Sequence, residues 1–88
     1  MQKISVHHYR LGGSAVIVNG GTLTVTETDY LVTSFGKEIV RFPISETSVQ
    51  KGTSELLYEV IKLTCGTEYI ELFFLKLNAG KTLSLFGL

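Results

Sequence analysis

Almost every apolar run in this chain is short, rich in Val, Ile, Thr, Tyr and Phe, and bounded by glycine or a polar turn. Runs of that kind make strands and hairpins, whereas a helix needs apolar residues at 3.6-residue spacing over a longer stretch. The sequence therefore predicts a mainly β, antiparallel fold. With 88 residues there is room for one modest core, so residues 1–88 read as a single domain.

Residues 14–18 read as a strand ending at Asn19-Gly20-Gly21, where Asn-Gly suits the positive φ of a tight hairpin. Residues 22–26 alternate, which assigns Leu23 and Val25 to the buried face and Thr22, Thr24 and Thr26 to the wet one. Glu27-Thr28-Asp29 then reverses the chain into residues 30–34, and Phe35-Gly36-Lys37 turns it again into residues 38–42. Pro43 cannot donate to a ladder, so that strand ends there or lies at an edge. Residues 45–48 suit a single helical turn before Val49, and residues 50–54 are the most loop-like stretch. Residues 56–64 and 69–75 form a second hairpin around Cys65-Gly66-Thr67, with apolar side chains on both parities and hence two covered faces. Residues 78–88 read either way. As a helix, Asn78 is the N-cap, Ala79, Leu83 and Phe86 share one face, and Gly87 is the terminator. As a strand, residues 82–85 alternate, and Gly80 and Thr82 tilt propensity slightly that way.

The run Gly20-Gly21-Thr22-Leu23-Thr24-Val25-Thr26-Glu27-Thr28-Asp29-Tyr30-Leu31-Val32-Thr33-Ser34 resembles the opening hairpin of GRAM and bacterial PH-like domains. In both, a glycine precedes an alternating strand, a threonine begins the turn, and the next strand carries an apolar pair. Residues 38–51 look like the family's following feature, with Phe42-Pro43-Ile44 leading through a short turn into a Val-containing strand. The hairpin of residues 56–74 fits the paired strands after it, so the likeness spans about residues 14–74. It implies a small antiparallel PH-like (GRAM-like) barrel or bent sheet, plugged at one corner by a C-terminal helix. The family's usual helix is longer than the residues left here allow, and a strand at 78–88 would depart from the family altogether.

Function is approached by exclusion. Eight Lys and Arg balance eight Asp and Glu, which lacks the electrostatic footprint of a sequence-independent nucleic-acid binder. PH-like domains that bind phosphoinositides place cations around their first hairpin, yet no basic residue lies between Arg10 and Lys37. The sequence therefore argues against that ligand. Along the chain the charge runs +2, −4 and +2 over residues 1–26, 27–71 and 72–88, so Lys3, Arg10, Lys76 and Lys81 are candidates for one weak basic patch. His7 and His8, adjacent on a regular strand, should point to opposite faces and not share a metal. No nucleophile elbow, phosphate loop or metal-ligand spacing appears, so no catalytic residue, metal or cofactor is assigned.

The single Cys65 closes no disulfide and reads as a half-buried small hydrophobe in a cytoplasmic protein. Met1 to Arg10 lacks the apolar h-region of a signal peptide, and no stretch suits a transmembrane helix. Residues 70–75 carry more apolar bulk than a one-faced strand can bury. Tyr69, Glu71, Phe73 and Leu75 are therefore the candidate surface for a protein partner or for self-association into a homo-oligomer. The function expected is a non-catalytic binding or interaction module. The alternatives are a small-ligand-binding regulatory protein with a pocket between sheets or subunits, and weak binding to a membrane surface.

Overall fold

The computed structural model describes residues 1–88, Asn78 by its backbone alone. The elements are β1 (Gln2–Leu11), β2 (Val18–Val25), β3 (Asp29–Ser34), β4 (Lys37–Pro43), a 3₁₀ turn (Ile44–Glu46), β5 (Thr47–Lys51), β6 (Tyr58–Cys65), β7 (Glu68–Leu75) and α1 (Lys76–Leu85). Seven strands form one antiparallel sheet in the order β4-β3-β2-β1-β7-β6-β5. Its two edge strands, β4 and β5, are joined only by the 3₁₀ turn. The sheet must therefore curl until its edges approach, and it does so without closing. This is the mainly β, bent-sheet architecture that the sequence predicts, with the short C-terminal helix in place of a last strand.

Turn chemistry sets the register of the hairpins. Thr26 Oγ1 accepts from the backbone N–H of Thr28 (3.2 Å) and Asp29 (2.8 Å), which fixes the β2–β3 reversal. Phe35 and Gly36 both adopt positive φ, 51° and 77°, giving the mirror-image turn that suits a twisted two-strand ribbon. Pro43 is the last residue of the edge strand β4, where its missing N–H costs no ladder bond.

The first hairpin differs from expectation. Residues 14–17 are not strand: Gly12 has φ 52°, Ser14 N–H donates to the Leu11 carbonyl (3.1 Å), and Val16 N–H donates to Ser14 Oγ (3.0 Å). β2 begins at Val18 and runs straight through Asn19, Gly20 and Gly21, paired with a long β1 from Gln2↔Val25 to Tyr9↔Val18. Gly20 uses its φ of 82° to kink a strand instead of closing a turn. Thr24 is also buried, not wet, because it lies in an inner strand between Lys3 of β1 and Leu31 of β3. Leu56 and Leu57 lie outside β6 and are exposed, the strand starting at Tyr58.

The concave face holds the core, built from Val6, Tyr9, Leu23, Val32, Phe42, Ile61, Leu63, Ile70, Leu72, Phe74 and Ala79. α1 covers its open end. Ala79 is buried, and Leu83 and Phe86 pack against the core, the i, i+4, i+7 stripe of the helical reading. Phe86 also meets Tyr30 of β3 at 5.6 Å between ring centroids, so the helix ties the two ends of the bent sheet together. The N-cap is Leu75, not Asn78, because the helix starts directly where β7 stops. At its other end Gly87 (φ 73°) allows Gly87 N–H to reach the Ser84 carbonyl and Leu88 N–H to reach Leu83, a Schellman stop. That paired termination and the apolar stripe outweigh the local cost of Gly80 and Thr82.

Candidate functional site

β1 is shared by both halves of the bent sheet, and its two edges are used unequally. Along β2 it is paired from Gln2 to Tyr9, but along β7 only from His8↔Phe73 to Leu11↔Ile70. β7 leaves the sheet at Leu75, where Lys76 N–H donates to the Leu57 carbonyl (3.0 Å) and the chain winds into α1. Residues 2–7 are thus left with a strand neighbour on one side only. A bend accompanies this change of partner. Val6 and Tyr9, of opposite parity, both point into the core, while His7 and the kinked Gly20 face each other without a ladder pairing.

The free edge opens onto a groove of about 1180 Å³. Its floor and one wall are the continuous run of residues 2–8, with Phe74 and Leu75 at the inner end. The opposite wall is α1, through Lys81, Thr82, Ser84 and Leu85. At about 3.3 Å per residue, that run of β1 gives a trough on the order of 20 Å long. No Asp or Glu lines it, whereas Lys3, Lys81, His7 and His8 all do.

The histidines sit together, not on opposite faces as a regular strand would place them. Their ring centroids are 4.4 Å apart, and Tyr58 lies 5.3 Å from His7 and 5.2 Å from His8. The bend in β1 is the physical reason, since alternation fails where the backbone changes sheet face. His8 Nε2 and the Tyr58 hydroxyl share a hydrogen bond of 3.2 Å, and His8 Nδ1 is buried without a partner. Among the described residues no cluster of three or more His, Cys, Asp or Glu side chains is arranged to hold a metal.

Tyr69, Glu71, Phe73 and Leu75 do line one face of β7, and the chain's own side chains cover much of it. Phe73 is only 2% exposed, beside Tyr58 and His8 and with the Arg10 guanidinium 5.8 Å from its ring centroid. Glu71 pairs with Arg10 at 3.0 Å, which raises the arginine's already high pKa, and Lys62 lies 4.3 Å from the Tyr69 ring centroid. Tyr69, Glu71 and Leu75 are half-buried.

The four cations are placed differently. Arg10 is tied to Glu71, and Lys76 stands at the start of α1, where its charge helps hold Glu59 ionised. Lys3 and Lys81 alone of the four line the groove. The groove depends on residues 2–11 forming one long strand, which carries no glycine or turn signal of its own. The Ile4 and Val6 alternation was the available signal.

Comparison of the chain with protein-family models, curated proteins and solved structures finds no match. No helix among the described residues is long and apolar enough to cross a membrane.

Proposed function

We propose that this domain is a non-catalytic binding module that takes an extended segment of a partner protein as an added strand on β1. One observation carries the reading: residues 2–7 form a strand with a single neighbour, and their free edge opens onto a groove walled by α1. Unpaired backbone N–H and C=O groups in a row are satisfied best by another extended backbone, and strand addition is a recurrent mode of peptide recognition. The trough follows a strand lengthwise, which suits a peptide better than a compact small molecule. α1 stands on the far side of the groove, and a second copy's β1 would have to bring its paired β2 with it. A peptide therefore fits better than self-association at this edge. The bent sheet with its C-terminal helix is also the form that the GRAM and PH-like resemblance implies, and the lone unpaired cysteine suits a cytoplasmic setting.

Amide chemical-shift mapping tests the reading, with the isotope-labelled domain titrated with a peptide selected from a random-peptide phage library. Shifts should concentrate on residues 2–7 and on the α1 wall. Shifts confined to the exposed Leu56, Leu57 and Leu77, or to the Tyr69 face of β7, would contradict it.

A further inference from the structure

We infer that the segment taken by the β1 groove is acidic, with carboxylate side chains set opposite Lys3 on β1 and Lys81 on α1. This rests on the strand-addition reading and adds the chemistry of the partner. The groove is lined by two lysines and two histidines and by no acid, in a chain whose charges sum to zero. Elsewhere Arg10 pairs with Glu71, Arg41 with Glu38 and Asp29, and Lys51 with Glu59, while Lys37, Lys62 and Lys76, also without an ion pair among the described residues, do not line the groove. Lys3 and Lys81 take part in no ion pair among the described residues, and both are exposed. They stand on opposite walls, so a strand laid between them meets positive charge on either side. Thr82 and Ser84 add hydroxyl groups along the α1 wall. Because side chains of an added strand alternate, acids at every second position can reach the lysines flanking the strand while the apolar residues between them pack toward Phe74 and Leu75.

The experiment pans a random-peptide phage library on the whole domain. The best selected sequence is then synthesised in three versions, with Glu, Gln or Lys at its acidic positions. The library should yield apolar residues alternating with Asp or Glu, and the Glu version should bind tightest. The double variant Lys3→Gln, Lys81→Gln should weaken the Glu version by about tenfold, the order expected for two exposed charge contacts, and leave the Gln version unchanged. Raised salt should act in the same way. Both lysines are exposed, and a thermal melt of the variant confirms that the fold is kept. If the Gln and Glu versions bind equally well while still perturbing β1, the acidic specificity is wrong and strand addition stands. If no peptide is selected, strand addition falls and the specificity with it. Sedimentation with phosphatidylcholine–phosphatidylserine vesicles, lost in the same double variant without any peptide selected, would assign the lysines to a membrane surface and overturn the proposal.

Discussion

At Gly20 the backbone of β2 takes a φ of 82°, and the carbonyl at that kink accepts the buried Ser34 hydroxyl at 2.7 Å. Alanine at position 20 would have to hold a left-handed backbone within a paired strand. Gly20→Ala should therefore lower stability by about 1–2 kcal/mol, seen as a reduced urea midpoint with an unchanged slope. Phe73 makes the complementary case on the outer face. Its ring is enclosed by Tyr58, His8 and Arg10, so Phe73→Ala should cost about 3 kcal/mol or more in the same measurement. A loss under about 1 kcal/mol would mean that this face is looser than the packing indicates. These two residues also mark how far local pattern reaches. The excess apolar character of residues 70–75 was legible as two covered faces. Asn19-Gly20, by contrast, has the chemistry of a hairpin turn, and only pairing with a distant β1 turns its positive φ into a kink.

Among the elements, the segment from β5 to β6 is where charge contributes to order. Ser54 Oγ donates to Glu59 Oε2 at 2.7 Å and Lys51 Nζ lies 3.6 Å from the same oxygen. The Ser54 hydrogen bond first, then the nearby Lys51 and Lys76 charges, pull the Glu59 pKa below its ordinary value against the opposing effect of desolvation. Because the folded value lies below the unfolded one, this stabilisation is full above the unfolded pKa. It fades as pH falls below the ordinary glutamate value and through the lowered folded one. Amide protection factors of residues 52–57, corrected for intrinsic exchange, should therefore fall in that acid range, and Glu59→Gln should flatten the dependence. An equally steep acid response in Glu59→Gln would place its origin elsewhere. α1 shows the other side of legibility at this scale. Its Ala79, Leu83 and Phe86 stripe and its Gly87 stop were both readable, but the starting residue was not, since β7 passes into the helix without a capping side chain. Strands 29–34 and 37–43 and their turns were readable because each is bounded by its own turn residues.

For the whole molecule, the decisive feature is one that no local pattern carries: two strands, β2 and β7, divide β1 between them. β7 covers β1 from His8 onward and then departs into α1, which leaves residues 2–7 half-paired and sets the helix opposite them. Lys3 and Lys81, far apart in sequence, come to stand on the two walls of one groove by that route, whereas Arg10 is paired with Glu71 and Lys76 stands at the start of α1 outside the groove lining. The central claim, that β1 accepts an added strand, is tested most directly by amide hydrogen exchange across residues 2–7. In the free domain, the amides in this run that point away from β2 should exchange fast, and those paired with β2 slowly. With a library-selected peptide bound, both sets should become slow. Peptide binding that leaves the outward-facing amides of residues 2–7 exchanging at their free rate would contradict the account.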